Sequence, residues 1–168
     1  MAVSRSAKVQ LGLLAACVLF WIGVIGYELV AEPGDPPGFL DDRSFPAAAE
    51  PICAEAMARV ESFGSAVAVE SIEERADLVD RQDEVFTAMI ADLRQLDVPD
   101  GEQGEWVAEW LGDWETHVAD RQAWAATLHG GEDPPFVETA KGTERVSEAV
   151  DAFAETNEMP SCATFNDV

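Results

Sequence analysis

The chain has 168 residues, with 33 acidic and 10 basic side chains and a formal net charge of −23 at neutral pH. That charge excludes nucleic acid and anionic lipid surfaces as favoured partners, and it favours cations or basic proteins. Beyond its N-terminal apolar segment, the chain is long enough for one domain with a buried core.

Residues 9–27 form an apolar segment in which Gln10 is the one polar side chain and no residue is charged. A helix of this length measures about 28 Å, close to the ~30 Å hydrocarbon core of a bilayer. Arg5 and Lys8 precede the segment, whereas acidic residues follow it. The positive-inside rule therefore predicts a cytoplasmic stub at 1–8, a single-pass cell-membrane anchor at 9–27, and an extracytoplasmic remainder.

Two processing sites compete with an uncleaved anchor. Leu14-Ala15-Ala16-Cys17 has the small-residue pattern of a lipoprotein cleavage site, and a signal peptidase could cut after Ala31. The apolar run continues for ten residues past Cys17, which favours a cysteine buried in the membrane over a lipidated one. Leu29 and the length of the run favour the uncleaved anchor over the second site.

Residues 28–50 are rich in proline and glycine and lack sustained periodicity, which predicts a tether before a domain at 51–168. Hydrophobic periodicity predicts four helices in that domain and no strand. Their predicted starts are Pro51, the capping box Ser71-Ile72-Glu73-Glu74, Glu102, and Asp133-Pro134. The predicted ends of the third and fourth are Leu128 and Asn157. The predicted apolar face of the fourth helix comprises Phe136, Val137, Ala140, Val146, Ala149, Val150 and Phe153. Short loops favour an all-α, up-down-up-down four-helix bundle.

Two cysteines follow the apolar segment, Cys53 and Cys162. An even pair in an oxidising compartment is most simply a disulfide, and neither residue has a Cys or His neighbour at metal-ligand spacing. In an alternating bundle the start of the first helix and the end of the fourth lie at the same pole. The cysteine positions and the helix count therefore support each other, and the joined pole is expected to face the membrane.

The third predicted helix has the most unusual composition. Trp110, Trp114, His117 and Arg121 share its apolar face, which indicates either an amphipathic core helix or a small pocket for an aromatic or anionic ligand or a cation. A buried arginine needs a partner, because an unpaired buried charge is very costly. Asp83 on the second helix is the expected partner of Arg121.

Catalytic and metal-binding patterns are weak. A di-iron bundle requires Glu-x-x-His on two helices, and neither histidine has a glutamate three residues before it. Asp113 and His117 form an i, i+4 pair, but such pairs are common by chance. The run from Gly130 to Asp133 lacks the lysine of a P-loop. We therefore expect no enzyme activity, cofactor or metal.

The chain resembles small actinobacterial membrane or lipoprotein-type proteins of unknown function. The resemblance comprises the apolar segment, Cys53, Glu74-Arg75-Ala76, the proline after the second helix, and Phe153-Ala154 with Asn157 and Cys162. It implies a disulfide-closed helical domain outside the membrane and carries no known activity. The expected function is a non-catalytic interaction or accessory module that meets a protein partner in the envelope or membrane. The alternative is a ligand- or cation-binding protein that uses Trp110, Trp114, His117 and Arg121.

Overall fold

The computed structural model describes residues 17–21 and 36–165, and within them the fold is all-α. Residues 17–21 are helical, and Pro36–Val168 form a separate compact unit. The helices of that unit are α1 (Ser44–Phe63), α2 (Ile72–Leu93), α3 (Glu102–His129) and α4 (Val146–Thr156). Short 3₁₀ turns occupy Ala66–Ala68 and Pro160–Cys162. Two-residue strands Ala140–Lys141 and Glu144–Arg145 pair antiparallel before α4.

The two long central helices have ends that their sequence encodes. The Ser71 hydroxyl accepts a hydrogen bond from the Glu74 amide at the start of α2, as the capping box predicts. Gly101, at φ +69°, supplies the left-handed turn that leads into α3, and Gly130 follows its last residue. Both helices therefore begin within a residue of the predicted positions.

The order of side-chain contacts shows that α2 and α3 run in opposite directions. Asp80 near the start of α2 contacts His129 at the end of α3, while Arg94 just after α2 contacts Glu115. On the other side, Val150 of α4 packs at the level of Trp110 of α3. The core between the helices is filled by large buried side chains: Leu40, Phe45, Phe86, Leu93, Trp110 and Trp114.

The first helix begins seven residues earlier than expected, because Ser44 and not Pro51 opens α1. The Asp42 carboxylate accepts a hydrogen bond from the Ser44 amide at 2.8 Å and so stabilises the helix start. The same bond lowers the pKa of Asp42 below its ordinary value. Phe45 and Leu40 are fully buried, so residues 36–50 belong to the folded unit and the predicted tether was wrong for them.

The fourth helix was placed too early, because it begins at Val146 and not at Asp133-Pro134. The Asp133 carboxylate pairs with Arg75 at 2.7 Å and caps no helix. Pro134 is followed by Pro135, and a residue before proline is disfavoured in helical geometry. Val137, predicted to be buried, is 77% exposed.

Cys53 and Cys162 form the expected disulfide, with Cα atoms 5.0 Å apart. Because α1 starts at Ser44, Cys53 lies in the middle of that helix and not at its first turn. The segment after α4 runs alongside the first half of α1, since Asn157 contacts Leu40 and Cys162 joins Cys53. The disulfide therefore ties the C-terminal segment along α1.

No helix in the described part of the chain is both long and apolar enough to cross a bilayer. Of the anchor predicted at 9–27, the structure describes 17–21, a helical stretch that includes the free thiol of Cys17. The rest of that segment, the stub at 1–8 and the cut site after Ala31 lie outside the described residues.

Candidate functional site: the buried polar face of α3

The four residues predicted as a ligand-binding face all lie in the interior. Trp110, Trp114, His117 and Arg121 are at most 3% exposed. Trp110 donates a hydrogen bond from its indole nitrogen to the Val150 carbonyl, and Trp114 packs against Phe86 and His117. None of five surface grooves on the described domain is lined by His117 or Arg121.

Arg121 is held by a network that connects three helices. Its Nε donates to Asp83 Oδ1 at 2.6 Å, the pair expected from the sequence, and its Nη2 donates to Gln82 Oε1 at 2.8 Å. The Gln82 amide in turn donates to the Gly64 carbonyl just after α1. The Arg121 guanidinium also lies 5.2 Å from the centroid of the Phe86 ring. A buried charge that is paired and hydrogen-bonded in this way fits a structural role.

His117 is bound to a residue that the sequence did not single out. Its Nδ1 lies 2.8 Å from Glu138 Oε1, and a carboxylate accepts, so Nδ1 carries the proton in this contact. Its Nε2 is buried and has no hydrogen-bond partner among the described residues. Burial lowers the pKa of His117 and the Arg121 guanidinium lowers it further, while Glu138 opposes both effects.

Glu138 also binds Ser147, whose hydroxyl donates to Oε2 at 2.8 Å. A serine, an acid and a histidine thus lie together, but the carboxylate lies between the other two. A nucleophilic serine needs a base that accepts its proton directly, whereas Ser147 is bonded to Glu138 and not to His117. The arrangement therefore holds the chain together and gives no activated nucleophile.

Glu138 lies in residues 130–145, a segment that packs along α3 and is here called the strap. Asp120 accepts from both the amide and the hydroxyl of Thr139, at 2.6 and 2.9 Å. Trp124 donates to the Pro134 carbonyl, and the Phe136 ring packs against Trp124 and His117. The strap thus covers the polar side of α3. Two consecutive prolines were the sequence signal that could have distinguished it from a helix.

Asp113, considered with His117 as a possible pair of metal ligands, binds a lysine side chain. Lys141 Nζ lies 2.5 Å from Asp113 Oδ2 and 2.8 Å from Glu109 Oε1. Burial alone would lower the pKa of Lys141, but these hydrogen bonds outweigh it and the pKa is raised. Asp113 and His117 therefore have separate partners. The described residues include no group of three or more His, Cys, Asp or Glu that could hold a metal ion.

The surface of the domain is strongly acidic. Residues 36–165 contain 29 acidic and eight basic side chains, a formal net charge of −21. Six of the eight basic side chains form ion pairs with acids of the same domain: Arg43, Arg75, Arg94, Arg121, Lys141 and Arg145. Most acids therefore keep an uncompensated charge at the surface.

No protein-family model, curated protein or solved structure matches this chain. The assignment of function therefore depends on the residues themselves.

Proposed function

We propose that this protein is a non-catalytic interaction module, anchored by residues 9–27 and presenting an acidic helical domain outside the membrane to a protein partner. The observation that carries the proposal is the closed interior of α3. Arg121 is paired with Asp83, and His117 is covered by Glu138 of the strap. The polar residues that first suggested a binding pocket serve the fold, which leaves the surface as the part available for function.

The extracytoplasmic location is supported by two independent features. The apolar segment at 9–27 has basic residues only on its N-terminal side, which favours an outward C-terminal domain. The Cys53–Cys162 disulfide fits an oxidising compartment, because reducing compartments keep thiols unpaired. The resemblance to small actinobacterial membrane proteins points the same way and remains a prediction.

The acidic surface supports a basic protein as the partner. A domain with a net charge of −21 repels phosphate backbones and anionic lipid headgroups, whereas it attracts lysine- and arginine-rich surfaces and speeds their encounter. We therefore propose a role as an accessory subunit of an envelope or membrane complex.

A binding protein that uses Trp110, Trp114, His117 and Arg121 is the second candidate. One observation favours it: the Trp114 indole nitrogen, like His117 Nε2, is buried without a hydrogen-bond partner in the described domain. A ligand would have to displace the strap to reach these atoms, since Phe136 and Glu138 cover His117. For that reason we favour the interaction module.

Topology can be tested with two variants of the full-length chain, each carrying Cys17→Ser and one new cysteine, so that the new thiol is the one outside the Cys53–Cys162 disulfide. Ser4→Cys lies before the apolar segment, and Ala58→Cys lies on the exposed side of α1. A membrane-impermeant maleimide should label Ala58→Cys in intact cells and Ser4→Cys only after permeabilisation. The opposite pattern would place the domain in the cytoplasm and overturn the topology.

The interaction itself is tested by affinity purification of the full-length tagged protein from its native membrane in mild detergent. We expect a stoichiometric protein partner that dissociates in high salt. Two strap variants are compared with the wild-type protein in the same purification. Glu138→Leu is designed to release the strap, and Glu132→Leu makes the same substitution at an exposed strap position. Recovery of no stoichiometric partner with the wild-type protein would contradict the interaction function.

A further inference from the structure

A groove of about 360 Å³ lies between α3 and α4, on the outside of the buried face described above. The groove is lined by residues that include Trp106, Glu109, Trp110, Asp113, Lys141 and Phe153. We call it the Trp106 groove. It combines partly exposed aromatic surface with two carboxylates, whereas the groove lined by Trp124 and Phe136 has a single carboxylate, Asp133, which is paired with Arg75.

The aromatic side of the groove lies on the closely packed rings of Trp110 and Phe153. Trp110 is 1% exposed, its indole is hydrogen-bonded to the Val150 carbonyl, and its ring stacks on Phe153 with centroids 5.3 Å apart. Trp106 and Phe153 are partly buried and present their remaining surface to the groove. Trp106 packs partly against this fixed core, and a side chain that is already partly packed loses less entropy on binding than a free surface side chain, as in the hot spots of protein interfaces.

The polar side of the groove already binds a cation. Lys141 lies between Glu109 and Asp113, and it is the one lysine in residues 36–165. Asp113 is largely buried, whereas the Glu109 side chain is 62% exposed and faces solvent beside Trp106. Two carboxylates and one ammonium leave the groove with a net negative charge. Within a domain of net charge −21, the complementary ligand is a cation.

We propose that the Trp106 groove binds an arginine side chain on a basic segment of a partner protein. The guanidinium plane stacks on Trp106, and its N–H groups donate to the Glu109 carboxylate. Arginine fits better than lysine because its planar fork both stacks on an aromatic face and pairs with a carboxylate. The inference rests on the proposed interaction function and adds the surface and the partner chemistry.

The probe is a fluorescent heptapeptide that alternates glycine with arginine, titrated into the full-length protein in a non-ionic detergent and followed by anisotropy. A citrulline peptide keeps the shape and removes the charge, and a lysine peptide keeps the charge and removes the plane. We expect saturable binding of the arginine peptide, at least about fivefold weaker binding of the lysine peptide, and no measurable binding of the citrulline peptide.

Three variants distinguish specific binding of the peptide in the groove from general attraction to the acidic surface. Trp106→Leu and Glu109→Gln should each weaken the binding of the arginine peptide by about fivefold, since each removes one of the two contacts. Glu55→Gln on the exposed side of α1 removes the same single charge in a different groove and should change affinity less than about twofold. Equal losses for Glu109→Gln and Glu55→Gln would overturn the proposal, as would equal binding of the arginine and lysine peptides.

A second readout is independent of affinity. In ¹H–¹⁵N spectra, Trp106→Leu identifies one indole N–H resonance, and that resonance should shift most when the arginine peptide is added. The Trp124 indole, which is bonded to Pro134 on the strap, should stay unchanged. If the Trp124 resonance shifts and the Trp106 resonance does not, the groove is wrong. A partner captured equally well by wild type and Glu109→Gln would leave the interaction function in place and reject this surface.

Discussion

Arg121 and Asp83 form an ion pair in the centre of the domain, with Nε and Oδ1 2.6 Å apart and the side chains 0% and 2% exposed. The two residues lie on α3 and α2, and the pair fixes the relative position of these helices. Charges this deeply buried lose their hydration, so their attraction stabilises the fold little compared with the penalty for separating them.

Removing one partner should therefore be far more damaging than removing both. We expect Asp83→Asn to lower the free energy of unfolding by about 3–5 kcal/mol, because Arg121 stays charged and buried. The double variant Asp83→Leu with Arg121→Met should recover most of that loss. Urea denaturation at neutral pH measures both.

The exposed pair of Arg94 and Glu115 is the matched control, since its side chains are 43% and 52% exposed. Glu115→Gln should cost less than about 1 kcal/mol, as is typical of surface pairs. A loss for Asp83→Asn no larger than that for Glu115→Gln would show that Arg121 is stabilised by its other contacts.

The disulfide should be a major contributor to stability. Cys53 and Cys162 are 109 residues apart, and closing a loop of that length stabilises a fold by about 4–5 kcal/mol in the chain-entropy model. The double variant Cys53→Ala with Cys162→Ala should therefore shift the urea midpoint strongly downward, and reduction of the wild type should act in the same way. Cys17→Ser leaves the bridge intact and should have no such effect. Mass mapping without reductant that finds Cys53 as a free thiol would contradict the pairing.

The central helices and the cysteine pair could be predicted from the sequence because their determinants are local or few. Ser71 and Gly101 set the starts of α2 and α3, and two cysteines outside the apolar segment have one possible intramolecular pairing. The pairing of Arg121 with Asp83 followed from helical periodicity and from the cost of a buried charge.

The start of α1 and the contacts of the strap were not predicted, for different reasons. The prolines at 36, 37 and 46 made residues 36–50 resemble a tether, although Phe45, Ala49, Ala56 and Val60 repeat at helical spacing. Pro46 is tolerated because it lies in the first turn, where its missing N–H costs nothing. For the strap, the decisive contacts are to α3, about twenty residues away in sequence, and no periodicity reports them.

The two histidines should contribute to stability with opposite dependence on pH. Burial and Arg121 lower the pKa of His117 below its ordinary 6.5, although Glu138 and Asp120 oppose the shift. Its contribution to stability is therefore present above pH ~6.5 and is lost as the pH falls toward the lower folded pKa. The Asp80 hydrogen bond raises the pKa of the exposed His129, aided by Asp77 and Glu73. That contribution is present below pH ~6.5 and is lost as the pH rises through the raised folded pKa.

Unfolding free energies of wild type, His117→Gln and His129→Gln between pH 5 and 8 separate these effects, because the carboxylates are common to all three. The advantage of wild type over His117→Gln should shrink on acidification, whereas its advantage over His129→Gln should grow. NMR titration of the ring protons gives the folded pKa of each histidine directly. A His117 pKa above that of His129 would contradict the assignment of burial as the dominant effect.

Asn157 holds the segment before α1 against the end of α4. This fully buried side chain accepts from the Leu40 amide at 2.9 Å and donates to the carbonyls of Gly38 and Phe153. Gly38 and Phe153 also line the Trp106 groove, so the Asn157 side chain positions two residues of that groove as well. Neither the hydrogen bonds nor the burial of Leu40 can be read from the sequence around Asn157.

Asn157→Ala should release residues 36–43 while leaving α2 and α3 folded. The Leu40 amide and the Gly38 and Phe153 carbonyls would lose their partner, and one unsatisfied buried group costs about 1–3 kcal/mol. We expect the Leu40 amide to exchange with solvent at least about tenfold faster, and chymotrypsin to cut after Phe39 more readily. Gln103→Ala is the matched control, because it removes two exposed hydrogen bonds between Gln103 and Asp41. It should affect the exchange of the Leu40 amide less. Unchanged exchange at Leu40 in Asn157→Ala would mean that apolar burial of Leu40 alone keeps the segment in place.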